Sequence, residues 1–160
     1  MVSSSVTVLV VDDGSSESDA ALDTAVALTR VTGSLLALLH VKSLASHVVG
    51  TTVTPTLFAQ LRDQGEELVG RRVAEIAAKG VAPDFAEVRF GRRIETTVTR
   101  TARELDAKVL VVGARDGGIA RRHAMGDLSL QLVREAPCSV LVVRGGSPWP
   151  RPDHPEQGQP

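Results

Sequence analysis

Two stretches of this 160-residue chain hold residue types that do chemistry at close spacing. The first is Val11-Asp12-Asp13-Gly14-Ser15, directly after a β-branched apolar run. Two acids at the end of such a run are not there to build a core. They can cap free amides and close a tight turn with Gly14 and Ser15. They can also hold a metal, or hydrogen-bond a ligand, and the motif leaves these readings open. The second stretch opens as Val112-Gly113-Ala114-Arg115-Asp116-Gly117-Gly118 and continues through Arg121-Arg122-His123-Ala124-Met125-Gly126-Asp127-Leu128-Ser129. A glycine-containing loop that leads from a strand into a helix suits an anion, because free amides and the helix dipole both face the ligand. Arg115, Arg121 and Arg122 add positive charge. The loop is not a P-loop, since it lacks a Gly-Lys-Ser/Thr ending, and it lacks the spacing and position of the dinucleotide fingerprint. No nucleophile–base pair and no second cluster of metal ligands accompanies Asp12 and Asp13. We therefore assign no catalytic residue and no metal site, and expect a protein that is not an enzyme.

The elements that must position these residues alternate along the chain. Val6–Val11 is a short β-branched run of the kind buried on both faces in a parallel sheet. Ser15 to Asp19 supplies N-cap candidates and first-turn acids. Leu22, Ala25, Val26 and Thr29 then recur at helical spacing, and Gly33 sits where a C-terminal cap belongs. Leu35–Val41 is the second strand. Lys42–Thr56 lacks periodicity and reads as a loop. Leu57 to Lys79 is a helix with the stripe Leu61, Leu68, Val69, Val73, Ile76 and Ala77, closed by Gly80. Gly65 and Gly70 weaken it by up to about 1 kcal/mol each. Phe85–Phe90 alternates and reads as an edge strand with one wetter face. Ile94, Val98, Ala102 and Leu105 mark a third helix. Val109–Val112 is a strand ending at Gly113, Gly126 to Ala136 is a short helix stopped by Pro137, and Ser139–Val143 is the last strand. Strand and helix in strict alternation imply an α/β domain with a mostly parallel sheet and helices on both faces. In such sheets the ligand lies at the carboxyl ends of the strands where their order reverses.

Composition narrows the class. Hydrophobic residues make up 42% and charged residues 23%, as in an ordinary globular domain. One cysteine forbids an internal disulfide and a multi-cysteine zinc site. A net charge of −1 and 2% aromatic residues argue against nucleic-acid binding. No apolar run approaches a membrane span of about 20 residues, and Met1 to Ser5 do not resemble a signal peptide. A cytoplasmic protein is expected, with one domain over residues 1–144. Residues 145–160 hold five of the eight prolines and read as a disordered tail in which Trp149 is exposed.

The paired acids resemble those of response-regulator receiver domains. That likeness ends at the third strand, which closes on Phe90-Gly91-Arg92 without an acid, and at the fifth, which closes on Val143-Arg144 without a lysine. A different resemblance spans residues 6 to 144. Asp13-Gly14-Ser15, Leu38-Leu39-His40-Val41, Gly113 with Gly126 at the matching distance, and Ala136-Pro137-Cys138-Ser139-Val140-Leu141-Val142-Val143 together resemble the motifs of the universal stress proteins. That resemblance implies a five-stranded parallel sheet of order 3-2-1-4-5, the adenine nucleotide alpha hydrolase-like arrangement. It implies an ATP or other adenine-nucleotide pocket, with Asp13 and Val41 at ribose and adenine and the loop from Gly113 through Arg115 to Gly126 at the phosphates. A hydroxyl and amides just after the last glycine complete the family's site, and Ser129 stands at the next hydroxyl position of the pattern. It also implies a homodimer that pairs the last strand, Ser139 to Val143, with its copy; a bare apolar edge of this kind seeks a partner.

The chain departs from the family pattern at two positions. Asp116 replaces a motif glycine, and Asp127 replaces the hydroxyl residue after the last one. A carboxylate about 4 Å from a phosphate charge costs roughly 1 kcal/mol in water and about 4 at an intermediate dielectric. Each 1.4 kcal/mol is about tenfold in affinity. A shift of the loop onto Gly117 or Gly118, neutralisation by Arg115, Arg121 and Arg122, a phosphate contact from Ser129, or a bridging magnesium ion can compensate. The expected function is thus a nucleotide pocket with weak or modified binding. The alternative is a stress protein that binds no nucleotide and acts through protein partners. Outside these motifs, His40 reads as a structural histidine with one hydrogen bond, His123 as a solvated loop residue and Cys138 as a small core residue.

Overall fold

The computed structural model describes residues 5–45, 53–114 and 128–144. Strand and helix alternate through them: β1 (Thr7–Val11), α1 (Ser16–Thr32), β2 (Leu35–Ser43), α2 (Pro55–Ala78), β3 (Phe85–Gly91), α3 (Ile94–Glu104), β4 (Ala107–Ala114), α4 (Leu128–Glu135) and β5 (Ser139–Arg144). Local chemistry sets the helix ends. The Ser15 hydroxyl accepts the Ser18 amide at 3.3 Å to start α1, and Gly33 closes it at φ +68°, its N–H on the Thr29 carbonyl at 2.9 Å. Thr54 caps α2 through the Leu57 amide, with Pro55 in the first turn, where a missing N–H costs nothing.

All five strands are parallel, in the order β3-β2-β1-β4-β5. Val8, Val10, Leu36, Leu38 and Val111 pack under α1 and α2 with Leu22, Val26, Val69 and Ile76. Leu9, Val11, Leu39, Val41, Leu110 and Val112 face the other way, toward Val98, Ala102 and Leu132 of α3 and α4. The order reverses between β1 and β4. Crossovers from β1 run one way along the sheet and those from β4 run the other, and parallel sheets of this kind take their ligands at the carboxyl ends of the strands beside such a reversal.

Several boundaries differ from the sequence reading. β2 continues past Val41 because β3 supplies partners for Lys42 and Ser43. β4 runs through Gly113 to Ala114 because β5 pairs with both, so Gly113 lies in the ladder and not at the head of a loop. The buried stripe of α2 is Leu61, Gly65, Val69, Arg72 and Ile76. Ala77, expected in that stripe, is exposed. Gly65 is more than a weak helix former: a Cβ there would lie 2.7 Å from Val88 Cγ1, so the glycine lets α2 approach β3. The expected tail at residues 145–160, with Trp149, lies outside the described residues.

Candidate functional site

The end of β1 is organised by Asp12, a carboxylate only 1% exposed. Its N–H donates to the Leu39 carbonyl at 3.0 Å. Its carbonyl accepts from His40 Nδ1 at 2.7 Å. Its Oδ1 accepts from the Gly14 amide at 2.8 Å and the Ser18 hydroxyl at 2.6 Å. Its Oδ2 accepts from Arg72 Nε at 2.5 Å. The acid is thus a structural anchor, both of whose carboxylate oxygens are engaged by groups of the chain itself. Arg72 reaches it from α2 and also pairs with Asp19 of α1 and, at 2.7 Å, with Glu75. Burial works against the Arg72 charge, but hydrogen bonds to Glu75, Asp19 and Asp12 outweigh it and raise its pKa above the usual arginine value. Spacing alone hid Arg72, which is 60 residues from Asp12 in sequence. A signal existed nonetheless: a cation stands in the buried stripe of α2, between Val69 and Ile76.

Asp13 points the other way in this economy of contacts. It is exposed, and its Oδ1 accepts the Ser15 amide at 3.0 Å. Gly14 makes the turn at φ +81°, a region open to glycine. Register then gathers the remaining positions. Val11 pairs with Leu39 and Val10 with Val111. Val41 lies two residues past Leu39 and Gly113 two residues past Val111, and Asp13 follows the last residue of β1 by two, so all three fall at the carboxyl ends of neighbouring strands. Val41 is buried on the α3/α4 face. Ser129, in the first turn of α4, places its hydroxyl 3.4 Å from the Gly113 carbonyl, the long limit of a hydrogen bond. Asp13, Val41, Gly113 and Ser129 are thereby brought to one end of the sheet. Arg115 and Gly126 lie outside the described residues, as do Asp116, Gly117, Gly118, Arg121, Arg122, His123 and Asp127.

Gly113 has a packing reason for its identity. A Cβ on it would lie 2.5 Å from the Glu17 carbonyl oxygen and 3.0 Å from the Ser18 nitrogen. The first turn of α1 therefore rests directly on β4. Glu17 in that turn is held below the usual carboxylate range by its own backbone amide and by the Ser16 hydroxyl.

A family model supplies the independent comparison: the universal stress protein family matches residues 6–144. The chain belongs to the universal stress protein family. A Staphylococcus aureus protein assigned to the universal stress proteins is 25% identical over 137 residues, covering 86% of this chain and 82% of its own. The solved universal stress protein UspA from Lactobacillus plantarum superposes with a TM-score of 0.67 at 24% identity, covering 87% of this chain and 97% of that one. A universal stress protein solved in complex with cAMP gives 0.65 at 20% identity, covering 89% and 98%. Structures of the same fold from Archaeoglobus fulgidus and Arabidopsis thaliana hold dAMP and AMP, with TM-scores of 0.60 and 0.63. These solved structures share the universal stress protein fold.

Residues outside the candidate site divide cleanly. His40 is a buried histidine with its one hydrogen bond at Nδ1, and Nε2 has no partner among the described residues. Cys138 is free and half-buried against the α3/α4 core, and burial raises its thiol pKa. It borders a cleft of about 380 Å³ with Asp106, Lys108 and Pro137. That cleft opens where β4 and β5 begin, at the opposite end of the strands from Asp13. Among the described residues no helix is long and apolar enough to cross a membrane.

Proposed function

We propose that this universal stress protein is a non-catalytic, adenine-nucleotide-binding homodimer whose phosphate loop favours a short phosphate tail over ATP. One observation supports the nucleotide part: the strand order reverses between β1 and β4, and Asp13, Val41 and Gly113 fall at or just past the carboxyl ends of β1, β2 and β4. Neighbours of the same fold hold cAMP, dAMP and AMP. The preference for a short tail rests on sequence: Asp116 and Asp127 stand at motif positions where the family pattern has a glycine and a hydroxyl residue, and two carboxylates in a phosphate loop would oppose a triphosphate. Magnesium would then matter for ATP alone, as a bridge between those acids and the tail. The dimer reading rests on the sheet edge. Leu141 and Val142 of β5 are 39% and 38% exposed, and Leu130 and Val133 of α4 lie exposed nearby in the chain. A free thiol suits a reducing, cytoplasmic compartment.

Titration calorimetry with AMP, cAMP and ATP with magnesium tests this. Micromolar binding of AMP or cAMP is expected, with ATP at least tenfold weaker. The double substitution Asp116→Gly and Asp127→Ser should strengthen ATP binding by at least tenfold and leave AMP unchanged. Heat silence for all three nucleotides would overturn the nucleotide reading and favour the dimer as a platform for protein partners.

A further inference from the structure

We infer that Arg72 is a positioning residue for the nucleotide site, acting from α2 through Asp12 on the turn that carries Asp13. The inference rests on the functional reading above and adds a residue that touches no ligand. Every hydrogen-bonding group of Asp12 is engaged: its N–H by Leu39, its carbonyl by His40, and its two carboxylate oxygens by Gly14, Ser18 and Arg72. The Gly14 amide, which opens the turn after Asp13, is thus held by the same carboxylate that Arg72 holds. Arg72 also takes Asp19 from α1 and Glu75 from its own helix. One guanidinium therefore ties the end of β1, the first turn of α1 and the body of α2.

The fork geometry is what matters. Nε meets Asp12 Oδ2 at 2.5 Å while Nη2 lies 3.4 Å from Oδ1 and also reaches Asp19. A lysine would keep the charge without the fork. If Arg72 served stability alone, a change that preserved the folded state would leave the turn and the ligand unaffected. A positioning role separates the two. With the clamp gone, the Asp13-Gly14-Ser15 turn samples more conformations, and a ligand must select the competent one.

The experiment compares the wild-type chain with Arg72→Lys and with the charge-neutral pair Asp12→Asn/Arg72→Met. The pair leaves no buried charge uncompensated. Amide exchange at Gly14, AMP affinity and the thermal midpoint are measured together. For the variant that retains a cooperative transition, Gly14 exchange should accelerate at least tenfold and AMP affinity should fall at least fivefold. Wild-type exchange at Gly14 in a folded variant overturns the inference. So does accelerated exchange with unchanged AMP affinity, since the turn would then not serve the ligand. If the wild-type chain binds no AMP, the functional reading fails separately. The inference then loses its ligand half, and Gly14 exchange decides the turn-holding half. Should the double variant not fold, Arg72→Lys supplies the same readouts.

Discussion

Gly65 and Gly70 lie five positions apart in one helix and carry the same intrinsic penalty, yet replacing each with alanine should move stability in opposite directions. Alanine gains about 1 kcal/mol over glycine in a helix interior. At Gly70 a Cβ meets nothing within 4 Å, so Gly70→Ala should stabilise by nearly that amount. At Gly65 the new carbon would lie 2.7 Å from Val88 Cγ1, 3.1 Å from Val88 Cγ2 and 3.4 Å from His40 Cδ2. Carbon contacts settle at about 3.5–4.0 Å, so the closest approach is short by roughly 0.8 Å. Val88 is β-branched and stiff at χ1, and it cannot swing aside as a long side chain would. Overpacking of this kind costs about 1–3 kcal/mol. The net effect of Gly65→Ala is then between zero and about 2 kcal/mol of destabilisation. The difference between the two variants isolates packing, because propensity cancels. Reversible unfolding of both should show a gap of about 1–3 kcal/mol, or several degrees in midpoint. In a Val88→Ala background, Gly65→Ala should lose most of its cost, a coupling of about 1 kcal/mol or more between touching residues. Equal stabilisation by both alanines, or an unchanged cost of Gly65→Ala once Val88 is trimmed, would refute the reasoning.

Two further outcomes follow from the contacts described. Gly113→Ala should destabilise by more than Gly65→Ala in denaturant titration, because its Cβ would meet the Glu17 backbone at 2.5 Å and backbone does not yield cheaply. Glu17 has a folded pKa below its unfolded one, so its contribution is present above the ordinary carboxylate range and is lost as pH falls through the folded value. Midpoints of wild type and Glu17→Gln should therefore differ at neutral pH and converge in acid; a gap that ignores pH would contradict this.

Much of the fold was legible because its signals are local. Ser15 and Gly33 bracket α1 by capping chemistry that depends on neighbours a turn away. The apolar runs of β1, β2 and β4 announce strands buried on both faces. Periodicity is less informative in α2. Apolar residues mark only part of its stripe, because Gly65 and Arg72 also stand at buried positions. The strand order came from the family resemblance and not from the pattern of any strand, since alternation permits several orders.

The residues by themselves determined the alternation, the helix caps, the absence of any internal disulfide and the set of acids and glycines at the ends of β1 and β4. Those features depend on residue type and on spacing within a turn or a strand. Only the tertiary structure decided what each one does. It divided the acid pair, burying Asp12 against a cation 60 residues away and leaving Asp13 at the surface. It gave Gly113 a packing task, as the seat for the first turn of α1. It made Gly65 the point where α2 meets β3. These assignments arise from close contacts between segments far apart in the chain. No local pattern encodes such a contact, because it depends on the register and packing of elements that the pattern only names.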